Sequence, residues 1–152
     1  MQVLIQLLAG LFFSSLAITA NSQMTGFPIG IYRSGGEENE AWEYLAEIYE
    51  KKGKLHAKVI QLGPGATLHR CDQCPAPRNG APMLGLDIIW DVEKEKGRLS
   101  PGKILNPQTG KTYDCQLRPQ KDGSLHIRAY FKWTAFGQTL IWRPVNSNPT
   151  KQ

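Results

Sequence analysis

Three cysteines carry the most reactive chemistry in this chain. Cys71-Asp72-Gln73-Cys74 puts two thiols three positions apart, just after His69, and Cys115 stands alone further on. An oxidised Cys71–Cys74 pair would leave Cys115 as a buried free thiol that packs like a small hydrophobe. A bridge from Cys115 to one of the pair would instead close about 40 residues, worth about 4 kcal/mol in the chain-entropy model. Reduced thiols would open two further chemistries. A redox-active Cys-x-x-Cys normally sits at a helix N-terminus that stabilises the thiolate, and Pro75 and Pro77 oppose a long helix here. His69, Cys71 and Cys74 would give zinc three soft ligands, with Cys115 a fourth, but no second Cys-x-x-Cys accompanies the first. The expectation is a local Cys71–Cys74 disulfide and no metal, with the longer bridge and the free thiols as alternatives.

Elsewhere the chemistry thins out. His56 and His126 fall on the polar sides of alternating stretches, as solvated surface groups rather than general bases. Asp87 and Asp91 stand opposite Leu86 and Trp90 and read as wet outer positions, not a catalytic carboxylate pair. The chain has no Gly-x-Ser-x-Gly, no His-Glu-x-x-His and no Walker-type loop, and Gly63-Pro64-Gly65 reads as a turn. Neither an enzyme nor a cofactor is expected. Residues 98–152 hold 9 basic and 2 acidic side chains, against 9 and 11 in residues 33–97. A basic half suits an anionic envelope component as partner. Nucleic acid is not expected: it needs exposed aromatics interleaved with Lys and Arg, and only Tyr130, Lys132 and Trp133 offer that.

The elements that must position these residues are short and alternating. With 152 residues, 41% of them hydrophobic, the chain can bury one core. Leu84, Leu86, Ile88, Trp90 and Val92 share one face, with only Ile89 out of pattern. Tyr113, Cys115 and Leu117 do the same, as do Leu125, Ile127, Ala129 and Phe131. A period of two with one wet face is the mark of an antiparallel strand. Lys51-Lys52-Gly53-Lys54, Asn106-Pro107-Gln108-Thr109-Gly110 and Lys121-Asp122-Gly123 supply the turns. One segment is ambiguous: Trp42, Leu45, Ala46 and Tyr49 have helical spacing, whereas Trp42, Tyr44, Ala46 and Ile48 share a strand face.

Counting gives eight strands, at 27–34, 42–50, 54–62, 83–92, 98–106, 111–118, 124–131 and 137–145, with a long loop over 63–82. Eight antiparallel strands can close into a barrel, which abolishes the exposed sheet edges. Such a barrel is either filled by its own side chains or holds one small ligand. Trp42, Tyr44, Leu86, Ile88, Trp90, Tyr113 and Ile127 are the inward residues that would form that core or line that cavity.

Residues 1–20 carry no charged side chain, with an apolar run from Leu4 to Phe13 followed by Ser14, Ser15, Ala17 and Ala20. That is the layout of a secretory signal peptide, although no Lys or Arg precedes the apolar run. The expected organisation is a signal peptide over 1–20, one domain over 26–146 and a disordered tail over 147–152.

Several segments occur together in order: Ile48-Tyr49-Glu50-Lys51-Lys52-Gly53-Lys54-Leu55, Cys71-Asp72-Gln73-Cys74-Pro75, Pro82-Met83-Leu84-Gly85-Leu86, Gly102-Lys103-Ile104-Leu105-Asn106-Pro107, Gly110-Lys111-Thr112-Tyr113 and Phe136-Gly137-Gln138-Thr139-Leu140-Ile141-Trp142-Arg143. As an ordered set they resemble a bacterial family of small exported proteins of unknown function with a lipocalin-like, or calycin, barrel. The resemblance implies an all-β chain: an eight-stranded antiparallel up-and-down barrel, with strand–turn–strand rather than helix over 42–62. It also implies export, and with no settled activity in that family it implies no reaction. The chain's own residues add the rest: a periplasmic or secreted protein, soluble after signal cleavage, whose barrel is expected to bind a small hydrophobic or amphipathic molecule. Gly30-Ile31-Tyr32 stands where the family places Gly-x-Trp; the expectation is that Tyr32 plugs the closed end of the barrel under Arg143 or Arg128. Oligomeric state is not legible.

Overall fold

The computed structural model describes residues 27–35, 41–133 and 135–145. The expected signal peptide and C-terminal tail lie outside them. Eleven strands and no helix occur among the described residues: β1 (Gly30–Arg33), β2 (Tyr44–Lys51), β3 (Lys54–Leu62), β4 (Arg70–Cys71), β5 (Ala81–Pro82), β6 (Asp87–Glu95), β7 (Arg98–Leu99), β8 (Gly102–Asn106), β9 (Lys111–Pro119), β10 (Leu125–Tyr130) and β11 (Gly137–Pro144). Eight of them form one ring, each bonded to the next in chain order: β1, β2, β3, β6, β8, β9, β10 and β11. The ring closes where β1 pairs β11, Tyr32 opposite Pro144. It is an all-β, antiparallel up-and-down barrel, which leaves no long edge unpaired.

The ambiguous segment is β2. Its backbone is paired on both sides, Ala46 with Tyr32 of β1 and with Val59 of β3. Two ladders outweigh the helix propensity of Glu, Ala, Leu and Lys, which amounts to tenths of a kcal/mol per residue. The fourth expected strand is displaced. Residues 83–86 form a turn, with Leu86 N–H donating to Met83 O, and β6 starts only at Asp87 and runs on to Glu95.

The fifth is split: β7 pairs the end of β6 and Pro101 separates it from β8. The long loop is not structureless. It carries the short β4–β5 hairpin, Cys71 opposite Ala81.

One corrected expectation bears on the site. Leu86, Ile88, Trp90 and Val92 do not share a face, because β6 carries two extra residues against β3. Leu55 pairs Val92, Ala57 pairs Ile89 and Lys58 pairs Asp87, so the register slips twice. Asp91 takes up one slip in the left-handed region, at φ 61°. As a result Ile89 points inward opposite Ile104, and Trp90 lies opposite the exposed Lys103, on the outer side.

The core is one continuous cluster along the barrel axis. Leu55, Val92, Leu125 and Trp142 fill the end where the β2–β3 and β9–β10 turns lie, each at most 1% exposed. The closed end is therefore plugged by Trp142, not by Tyr32. Tyr32 is buried opposite Ala46, while the register sets Arg143 beside Arg33 and Arg128 beside Thr139, on the outward side of the wall.

Candidate functional site

The other end of the barrel is not filled. A cavity of about 500 Å3 opens there, between the start of β2, the ends of β3, β8 and β10, and the starts of β9 and β11. A volume of that size takes a small ligand. Its apolar wall comes from Leu62, Leu68, Met83, Ile104 and Leu140. Rings of Tyr44, Tyr113, Tyr130, Phe131 and Phe136 add an aromatic component, and Phe131 and Phe136 stand at the mouth, 62% and 76% exposed. Asn106, Gln108 and Gln138 supply uncharged hydrogen-bonding groups, and Glu43 a carboxylate.

Alternation explains how the strands aim these groups. Tyr44 begins the inward row Tyr44, Ala46, Ile48 of β2, and its ring meets Trp142 edge-on with centroids 6.0 Å apart. Trp142 thus lies beneath the cavity and Tyr44 in its wall. Burial holds the Tyr44 phenol above its ordinary value, and the Glu43 charge adds to the rise. On β10 the small Ala129 faces the space between Cys115 and Gln138, its cross-strand neighbours. Cys115 is fully buried with a free thiol, which burial pushes up to about 12.

Cys71 and Cys74 are bonded to each other, in line with their spacing. The bond occupies both sulfurs of the zinc set with His69. Both residues are buried, and the loop that holds them is pressed onto the β8–β9 turn. Gly110 makes that contact feasible: it has φ 68°, and a Cβ there would lie 1.7 Å from Gln73 O. The loop's Arg78 covers Trp90 from outside, 4.3 Å from guanidinium to ring centroid. Leu68 and Met83 carry the loop's ends into the cavity wall.

Of the seven residues expected at the site, the cavity gathers Tyr44 and Tyr113. Ile127 is fully buried one layer down, beside its cross-strand partner Leu140. Ile88 and Leu86 are buried in the core by β6 and its preceding turn. Trp42 precedes β2 and lies against Gly63, where a Cβ would meet its ring at 2.2 Å. Trp90 is on the outer face under Arg78. The missed residues, Leu62, Ile104, Leu140 and the loop pair Leu68 and Met83, share one property: each lines the open half of the barrel. Alternation reports which face a residue is on, not how far along the barrel it lies.

Two comparisons bear on this architecture. Residues 30–143 match the model of a bacterial family described as "Uncharacterized protein conserved in bacteria (DUF2147)". The chain belongs to this family. Its matched span runs from the first strand of the DUF2147 barrel to the last. A solved structure, HP1028 from Helicobacter pylori, described as belonging to the lipocalin family, is similar at a TM-score of 0.68. The similarity covers 80% of this chain and 84% of that one at 24% identity, so it speaks for the lipocalin-like fold alone. A search of curated proteins gives no match.

Proposed function

We propose that this DUF2147 protein is an exported, non-enzymatic binding protein that holds one small hydrophobic or amphipathic molecule in the open half of its barrel. The observation that carries the reading is the cavity of about 500 Å3, whose wall combines aliphatic, aromatic and polar residues. Burying ligand surface there would gain about 25 cal/mol per Å2 removed from water. Export, with residues 1–20 as signal peptide and 26–146 as the binding domain, is supported by the Cys71–Cys74 bridge, which suits an oxidising compartment. Burial of that bridge supports a structural role over thiol exchange, which needs access to a sulfur.

The test is titration with the environment-sensitive dye N-phenyl-1-naphthylamine. Saturable uptake at one dye per chain, competed by a dodecyl-chain amphiphile, is expected. Uptake that does not saturate, or whose affinity is unchanged when Ala129→Leu narrows the cavity, would sink the reading.

One observation favours a second reading, contact with an anionic envelope component. The β10–β11 tip exposes Phe131, Trp133 and Phe136 beside Lys132, and Trp and Lys are residues that settle at a bilayer surface. Sedimentation with phosphatidylglycerol vesicles, lost in high salt and in Trp133→Ala, is its expected signature.

A further inference from the structure

The charge of the cavity is not the charge of the protein. The chain carries 18 Lys and Arg against 13 Asp and Glu, yet of the described residues that line the cavity none is Lys, Arg or His. The one formally charged residue among them is Glu43, which is exposed. Tyr44, Tyr113, Tyr130 and Phe136 line the same cavity, as does Phe131, whose face Lys132 already covers. An aromatic face is the negative pole of the ring quadrupole and attracts a cation within about 6 Å of the centroid. Carboxylate and rings therefore favour the same sign of guest.

An anionic head group, by contrast, would meet a like charge at Glu43, and its counter-charge would have to come from Lys132, which lies over the Phe131 ring at 5.5 Å from its centroid. The Glu43 charge already acts on its neighbour, adding to the rise of the Tyr44 phenol.

We propose that the cavity selects amphiphiles with a cationic, ammonium-type head. The head would rest at the mouth between Glu43 and the ring faces, with the tail directed toward Leu62, Met83 and Leu140. This deepens the binding reading above and rests on it. It excludes free fatty acids as the preferred guests, although their tails would suit the same wall.

The magnitude follows from Coulomb's law. One unit charge at about 4 Å in water changes an affinity roughly fivefold, favourably for a cation and unfavourably for an anion. With screening at moderate salt, a pair of guests with matched tails should differ by about tenfold.

The experiment is calorimetric titration of the purified protein with dodecyltrimethylammonium and with dodecanoate, both below their micellar concentrations. The ammonium guest is expected to bind about tenfold tighter. Glu43→Gln should shrink that gap severalfold, and Glu43→Lys should close or invert it. Glu43 is exposed, so both variants should keep the wild-type far-UV spectrum. If the protein takes up the neutral dye but binds the two ions equally, or keeps its gap in Glu43→Gln, the charge assignment falls while the cavity reading stands. If neither ion nor the dye is bound, the cavity reading itself falls, and this proposal with it.

Discussion

The two ends of this barrel are built from the same alternating strands and end in opposite states. At the closed end Leu55, Val92, Leu125 and Trp142 meet across the axis and exclude solvent. At the open end Tyr44, Leu62, Ala129 and Leu140 face the same axis and leave about 500 Å3 between them. The difference lies in residue size and in what reaches in from outside. One indole supplies the bulk that closes the first end. The second has Ala129 at a central wall position, and its loop contributes the small Ala66 and Thr67 besides Leu68 and Met83. A barrel of eight strands stands at the boundary between filled and hollow, so a few side chains decide which half is core and which is site.

The largest effect should come from breaking the filled end. Trp142→Ala removes the largest fully buried side chain and is expected to cost about 3–5 kcal/mol of stability, read by urea denaturation. The matched truncation at the hollow end, Leu140→Ala, removes a half-buried side chain from a wall that already faces space. It should cost about 1 kcal/mol. Equal losses would mean that the two ends are packed alike and that the cavity is not held open in solution.

Next in size is the loop over the open end. The Cys71–Cys74 bridge closes a very short loop, so replacing both by Ser should cost at most about 2 kcal/mol, where a longer bridge would cost more. Thiol counts check the pairing without any mutation. The native protein should expose no thiol to Ellman's reagent, because Cys115 is fully buried and its thiol is pushed up to about 12. Denaturation should release one thiol and reduction three. Two thiols on denaturation alone would contradict the arrangement.

Much of this architecture is legible in the residues themselves, and the reasons for the rest are specific. Over 54–62 and 111–118 alternation and a glycine turn agree, and the strands lie there to within a residue. The β2 segment is not decided by its own residues: what makes it a strand is hydrogen bonding to β1 and β3, which local propensity cannot register. Trp90 reads as inward because Leu86, Ile88 and Val92 continue its alternation, and a bulge is invisible to a period-two count. Asp91 at φ 61° is where that count breaks. For the site, face alone is enough to find Tyr44 and Tyr113. It does not single out Leu62, Ile104 and Leu140, because depth along the axis depends on strand stagger, which only the closed barrel fixes.

The outer wall offers a smaller effect with a pH signature. The Tyr49 hydroxyl donates to Asp87 Oδ1 at 2.8 Å, and burial, then that bond, push its phenol from 10.0 to about 12. A raised acid favours the fold while protonated. Its contribution is therefore complete below pH 10.0 and is lost as pH climbs toward about 12. Tyr49→Phe should cost about 1 kcal/mol at neutral pH and make the alkaline decline shallower. Tyr32, Tyr44 and Tyr130 are raised as well, so the decline should not vanish. A variant whose alkaline curve overlays the wild type would show that this hydrogen bond does not persist in solution.

The smallest change in stability should come with the sharpest change in binding. Ala129 faces the cavity from the middle of the wall, between Cys115 and Gln138. In a close-packed core, adding methylenes at such a position typically costs about 1–3 kcal/mol through strain. In a hollow half the added isobutyl group has room, and the apolar surface it buries offsets the loss, so Ala129→Leu should shift stability by about 0.5 kcal/mol or less. The same group occupies space a ligand tail would need, and dye affinity should fall about tenfold for each 1.4 kcal/mol of lost contact. A position where stability is indifferent and binding collapses identifies a site rather than a core. If Ala129→Leu were instead as destabilising as Trp142→Ala, the open half would be core after all, and the distinction between the two ends would fail where it is most directly tested.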